Sequence, residues 1–211
     1  MASPWMLPSA LGGTDINLVT GQETSPRVTQ AEGAVWGHQN TVVVTFVDSS
    51  GSNLNPISAC GVSISNDSGR SFARLPYKFN VGGGCYGEAS VLYSTRVQKW
   101  FAGFLAGRCG GIGVGIWTSG NAVDWAEGPC AYSSFNVDRP SLWVDNNPGS
   151  PFYGRLYAAF NDFDLAGGAP RFVYSADNGA TWSAPVAISL GFRRVLKVTG
   201  SPGGPGKAGH P

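Results

Sequence analysis

Groups able to do acid, base or metal chemistry are few in this sequence, and most of them are carboxylates. The chain has 13 Asp and Glu residues but only two histidines, His38 and His210. No H-E-x-x-H pair, G-x-S-x-G elbow, Walker loop or Rossmann glycine fingerprint occurs in it. We therefore predict no metal site. Any catalysis must depend on carboxylates as general acid and base, with arginine holding an anionic group.

The composition favours an all-β protein. Only 13% of residues are charged and the formal net charge is +1, which argues against nucleic-acid binding. Gly and Pro make up 45 of 211 residues, which disfavours long helices. With 42% hydrophobic residues the chain should still fold. No apolar run of 18 residues occurs, so we predict no membrane association through a transmembrane helix.

An internal repeat organises the chain. The pattern S-x-D-x-G-x-x-aromatic occurs twice, with a degenerate copy between, and the closing aromatics fall at positions 72, 125 and 182. The Asp can accept hydrogen bonds from its own turn, the Gly permits a positive φ, and the aromatic packs between sheets. The pattern therefore predicts a structural turn. Its members are Ser65, Asp67, Gly69 and Phe72, then Thr118 and Trp125, then Ser175, Asp177, Gly179 and Trp182.

Each period holds four strand-like runs, three before the turn and one after it. Four short strands per roughly 50 residues are typical of a β-propeller blade. We predict three blades at about 30–84, 85–136 and 137–190. We expect residues 1–29 to form a partly disordered lead-in, and 191–211 to form a partial strand and a disordered tail rich in Gly and Pro. A helix over 88–102 is the alternative for that segment.

The repeat, together with the strings at 138–145 and 154–160, resembles the Asp-box (bacterial neuraminidase repeat) family of the sialidase superfamily over about residues 30–190. The resemblance implies a propeller of six or seven blades. For an enzyme it implies glycosidic bond hydrolysis without a cofactor, using an arginine triad, a Tyr–Glu nucleophile pair and an Asp acid/base. The F/Y-R-I-P signature is missing, since Arg74-Leu75-Pro76 follows a turn instead of preceding it. No catalytic residue is therefore carried over from the family.

Blade geometry predicts where a site should lie. Successive strands alternate direction, so the starts of first strands and the ends of second strands gather at the mouth of the central channel. Carboxylates there could do acid/base work and an arginine could hold an anionic group. The alternative is that these groups are solvated or pair to hold blades together. We predict Glu32, Glu88 and Asp138 as catalytic, and Arg139, Asp48, Asp162 and Tyr86 as substrate-binding.

The four cysteines follow the same repeat. Cys60 and Cys85 flank the first turn, and Cys109 and Cys130 flank the second. In each case the two cysteines fall at the same end of a predicted hairpin, which predicts the disulfides Cys60–Cys85 and Cys109–Cys130. Buried unpaired cysteines are the alternative. Disulfides favour a secreted protein, although no signal peptide is visible in this chain.

The sequence therefore predicts a secreted sialidase-like propeller of the glycoside hydrolase type that acts on or binds glycans. We expect the isolated chain to be weakly active or inactive. A non-catalytic carbohydrate- or protein-binding propeller, or a fragment of a longer sialidase-like protein, is the alternative. Three blades do not close a circle, and two copies could associate as a homodimer into a six-bladed ring.

Overall fold

The protein consists of three consecutive four-stranded antiparallel sheets, each built from adjacent segments of the chain. The computed structural model describes Ile16, Leu18, 30–76, Phe79, 83–165 and 168–188. The predicted lead-in and tail lie outside these residues, apart from Ile16 and Leu18. The strands are β1 (Gln30–His38), β2 (Thr41–Asp48), β3 (Cys60–Ser65), β4 (Ala73–Leu75), β5 (Ser90–Ser94), β6 (Lys99–Ala106), β7 (Gly113–Ser119), β8 (Ala126–Tyr132), β9 (Val137–Val144), β10 (Leu156–Asp162), β11 (Ala169–Ser175) and β12 (Val186–Ala187).

The all-β prediction is confirmed, and the alternative helix over 88–102 is wrong. This segment contains β5, a turn and the start of β6, with Ser90 paired to Gly103 and Ser94 to Lys99. Every residue of β5 is buried, as expected for a strand covered on both faces. Within the part of the chain that the structure describes, no helix has the length and hydropathy that a bilayer crossing requires.

The middle blade is sandwiched between the other two. Side chains alternate along a strand, so Val91 and Tyr93 pack towards the first blade while Leu92 packs towards the third. This double burial explains why the apolar runs of the middle repeat are the longest. The pairing of two copies into a six-bladed ring has no support in the structure of the single chain and stays a prediction.

The first and third repeat turns are closed by their Ser and Asp side chains. The Ser65 hydroxyl donates to an Asp67 carboxylate oxygen at 2.6 Å and accepts the Gly69 N–H at 2.8 Å. Asp67 also accepts the backbone N–H and the hydroxyl of Ser71, at 2.9 and 2.6 Å. Gly69 has a φ of 86°, which a residue with a Cβ adopts only at a cost. The third turn repeats these contacts with Ser175, Asp177, Gly179 and Thr181.

The middle turn differs from the prediction that Thr118 begins it. The hydroxyl comes from Ser119, which donates to the Asn121 side-chain oxygen at 3.1 Å. Asn121 takes the place of the Asp and accepts the N–H groups of Val123 and Asp124. The physical reason is that this turn reaches its closing aromatic, Trp125, one residue sooner than the other two. When Trp125 is aligned with Phe72 and Trp182, Thr118 falls where Ser119 should stand.

These turns predict loss of stability in acid. Hydrogen bonds from the Thr181 hydroxyl and N–H lower the pKa of Asp177 from 3.8 to about 2. A carboxyl whose pKa is lowered by folding stabilises the protein above its unfolded value and loses that effect as pH falls towards the folded value. Asp177→Asn should therefore lower the urea midpoint at pH 6, and the gap to the wild type should close between pH 4 and pH 2. A gap that stays constant with pH would contradict this cause.

Both predicted disulfides are present. Cys60 bonds to Cys85 and Cys109 to Cys130. Cys85 also bridges two blades through its backbone, because it pairs with Ser58 on one side and with Ala106 on the other. The first disulfide therefore attaches the third strand of the first blade to the segment that enters the second.

Candidate functional site

Strands β1 and β9 each carry a β-bulge, and the backbone just before β5 has the equivalent arrangement. In each bulge two residues of the first strand lie opposite one residue of the second strand, and that residue is a buried phenylalanine. The main chain of Leu105 bonds to Tyr86 and Gly87, which places the middle bulge just before β5. The bulged pairs are Glu32–Gly33 opposite Phe46, Glu88–Ala89 opposite Phe104 and Arg139–Pro140 opposite Phe160.

The first residue of each bulge is held in the left-handed region. Its φ is 53° at Glu32, 56° at Glu88 and 54° at Arg139. This conformation is uncommon outside glycine, asparagine and aspartate and costs on the order of 1 kcal/mol. A bulge re-aims its side chain away from the regular pleat. Three charged side chains are therefore turned out of their sheets at equivalent places, and such strain is characteristic of functional sites.

The structure brings Glu32, Glu88, Asp138 and Arg139 together. Partial burial raises the pKa of Glu88 to about 7, and a hydrogen bond with Glu32 and the negative charges of Glu32 and Asp138 add to this shift. The Arg139 guanidinium opposes it. Arg139 also lies 3.7 Å from an Asp138 oxygen, and its side chain is 76% exposed. We call these four residues the bulge cluster.

The bulge cluster has the components of acid/base chemistry. A carboxyl group with a pKa near 7 is protonated in a large fraction of molecules at neutral pH and can act as a general acid. A hydrogen bond joins the side chains of Glu32 and Glu88. The exposed Arg139 is free on its solvent side to meet an anionic or hydroxyl-rich ligand.

Asp48, which the sequence predicts to bind substrate, lies at the buried end of β2. It is only 1% exposed and forms an ion pair with Arg74, which is also buried. Its other oxygen accepts the N–H and the hydroxyl of Ser50, at 3.0 and 2.6 Å, and so caps the short 3-10 turn Ser49–Gly51. Both oxygens are therefore engaged within the protein, and Asp48 fixes the loop after β2.

Asp162 has the equivalent role after β10. It is also 1% exposed, accepts the Tyr132 hydroxyl at 2.6 Å and accepts the backbone N–H of Asp164 at 3.0 Å. Burial and this hydrogen bond raise the pKa of Tyr132 to about 12. Tyr86, the last predicted substrate residue, is 40% exposed and precedes Glu88 by two positions. Asp48 and Asp162 thus anchor loops within the protein, while the Tyr86 side chain is accessible to solvent.

The bulges themselves were missed from the sequence, although it contains signals for them. Proline within a strand marks a bulge or an edge, and Pro140 follows Arg139 inside β9. Glycine adjoins the other two positions, as Gly33 after Glu32 and Gly87 before Glu88. The Ser119–Asn121 turn and the Asp48–Arg74 ion pair were also missed.

Comparison with solved structures finds glycoside hydrolase-like β-propellers. A crystal structure of a protein of unknown function from Dyadobacter fermentans matches with a TM-score of 0.59 and 14% identity, over 75% of this chain and 50% of that chain. The Hadza microbial sialidase Hz136 matches with a TM-score of 0.51 and 15% identity, over 76% of this chain and 34% of that one. The sequence matches no family model and no curated protein. The chain therefore has a propeller-like fold, and it spans half or less of these structures.

Proposed function

We propose that this chain is the glycan-contacting part of a secreted sialidase-like propeller of the Asp-box, glycoside hydrolase type. The observation that carries the proposal is the bulge cluster, in which one backbone device in three blades gathers three carboxyl groups and a guanidinium. In this proposal Glu88 is the general acid, Glu32 and Asp138 are the partner carboxylates, and Arg139 binds the sugar. The two disulfides and the glycoside hydrolase-like neighbours support it.

The same geometry supports weak activity or none in the isolated chain. Glu32 and Glu88 touch directly, whereas the carboxyl pair of a retaining glycosidase is about 5 Å apart and that of an inverting enzyme is further apart still. The pair therefore leaves no room for a sugar between its members. A non-catalytic glycan-binding propeller is thus the second candidate function, with Arg139 and the carboxyl groups serving as ligands.

A glycoside panel and a glycan array separate these functions. We expect the wild type to bind glycans on the array, and Arg139→Ala to weaken that binding about tenfold or more, as the loss of a charge-assisted contact would. Arg70→Ala is the matched control, since Arg70 is an exposed arginine on the first repeat turn. If the wild type releases the fluorophore from a glycoside and Glu88→Gln does not, the protein is an enzyme. Glycan binding without release would favour the binding protein, and equal effects of both arginine variants would contradict the proposal.

A further inference from the structure

A cavity lies between the first and second blades, at the opposite end of the strands from the bulge cluster. Its volume is about 460 Å³, which suits a mono- or disaccharide. It is bounded by the turn after β1, which includes Gln39, and by the turn between β5 and β6, which includes Gln98. Glu32 and His38 are six residues apart on β1, so about 20 Å of strand separates the two sites.

The cavity is lined by uncharged polar groups. None of its lining residues that the structure describes is an Asp, Glu, Lys or Arg. Gln39 and Gln98 instead present side-chain amides, which both donate and accept hydrogen bonds. A ligand rich in hydroxyl groups matches such a lining, because each hydroxyl also donates and accepts. An anionic ligand would find no Lys or Arg side chain among these residues.

One wall of the cavity is aromatic and rigid. The His38 ring stacks on Tyr93 at 3.8 Å between centroids, and Tyr93 meets the edge of Trp100 at 5.0 Å. Tyr93 and Trp100 are buried in the core between the two blades, so they hold the half-buried His38 ring in place. The His38 ring therefore offers the cavity a fixed flat face, which suits the C–H face of a sugar.

The two glutamines that carry these amides have a strained backbone conformation. Gln39 and Gln98 both have a φ of 53°, a conformation that glycine adopts without strain. A hairpin turn alone would be better served by glycine or asparagine at these positions. Glutamine at two neighbouring turns that face one cavity indicates that the side chains are used. Strained residues of this kind concentrate at ligand sites.

We propose that this cavity binds a neutral saccharide unit, at a site separate from the bulge cluster. The proposal does not depend on hydrolysis or on binding at the channel. It gives the protein two glycan contacts on opposite ends of the blades. The ligand is a neutral pyranoside, held by the amides of Gln39 and Gln98 and packed against the His38 ring.

The test removes the amides without weakening the fold. Gln39→Gly/Gln98→Gly deletes both side chains and relieves the left-handed strain, so its melting temperature should equal or exceed that of the wild type. We expect methyl glycosides of glucose, galactose, mannose and N-acetylglucosamine, screened by saturation-transfer NMR, to include one that binds the wild type at millimolar concentration. The double variant should bind that glycoside about tenfold more weakly, because two hydrogen-bonding groups are lost.

Two controls keep this result apart from the proposed function. Asn178→Gly relieves the same strain, at a φ of 63°, in a turn that does not line the cavity, and should bind like the wild type. Glu88→Gln should also bind the neutral glycoside like the wild type. The proposal is overturned if no neutral glycoside binds, if sialic acid is preferred to all of them, or if the double variant binds normally. Loss of binding in Glu88→Gln alone would assign the sugar to the bulge cluster.

Discussion

Glu88→Gln is expected to make the protein more stable at pH 8 while leaving its stability at pH 4 unchanged. In the folded protein the pKa of Glu88 is raised from 4.5 to about 7 by burial and by its carboxyl neighbours. The folded state therefore holds an extra proton between these values, and stability is lost as pH rises through them. The amide of glutamine cannot ionise, so the variant avoids this loss. Because the side chain is only partly buried, we expect a gain of about 1 kcal/mol after solvent screening.

The measurement is the melting temperature of both proteins from pH 4 to pH 9. The wild type should decline between about pH 4.5 and pH 7.5, and Glu88→Gln should decline less over that window. Glu127→Gln is the matched control, because Glu127 pairs with Arg108 at 2.9 Å in the middle blade and takes no part in the bulge cluster. Parallel curves for wild type and Glu88→Gln would show that the cluster does not hold a proton on Glu88. A variant more stable yet deficient in glycan contact is the usual signature of a strained functional site.

Asp48→Ala is expected to have the largest effect on stability of any single change at the loop ends. The substitution removes the carboxylate that faces Arg74 and caps the turn at Ser50. Arg74 then keeps a buried guanidinium that has lost the Asp48 carboxylate, and breaking a buried pair on one side costs about 3–5 kcal/mol. A domain of this size is stable by only about 5–15 kcal/mol. The melting temperature should fall by about 10 °C or more.

The double variant Asp48→Ala/Arg74→Leu separates the ion pair from the rest of the effect. Removing both charges also removes the buried guanidinium that faced Asp48, so the double variant should be more stable than Asp48→Ala alone. The comparison is made by urea unfolding at pH 7 and low salt. The single variant Arg74→Leu completes the comparison. If the losses of unfolding free energy in the two single variants add up to the loss in the double variant, the carboxylate and the guanidinium are not coupled.

The blades were predictable because they repeat. Two good copies of one turn motif located the three periods, and the cysteines that flank the first two turns then paired correctly. The degenerate copy failed at the level of single residues, because a turn shortened by one residue moves Ser119 and Asn121 out of alignment with Ser65 and Asp67. The spacing of the motifs predicts where a turn falls, whereas the hydrogen bonds within a turn depend on the number of residues in it.

The candidate site was predictable in part. The equivalence of Glu32, Glu88 and Arg139 followed from counting along the repeat, since each immediately precedes a first strand. The bulges could not be predicted in this way, because a bulge is a property of the register between two strands and not of either strand alone. The burial of Asp48 and Asp162 was equally hidden, since it depends on partners 26 and 30 residues away along the chain, Arg74 and Tyr132.

The repeated bulge also has a consequence for how such a protein can change over evolutionary time. The backbone device is the same in all three blades, yet it presents glutamate twice and arginine once. Because the conformation is set by the bulge and the buried phenylalanine opposite, the exposed side chain contributes little to the architecture. Each residue can therefore be exchanged, including for glycine, without a change in the backbone of its blade. The ligand preference of such a protein can therefore change through one blade at a time, while the bulges and the phenylalanines opposite them stay the same.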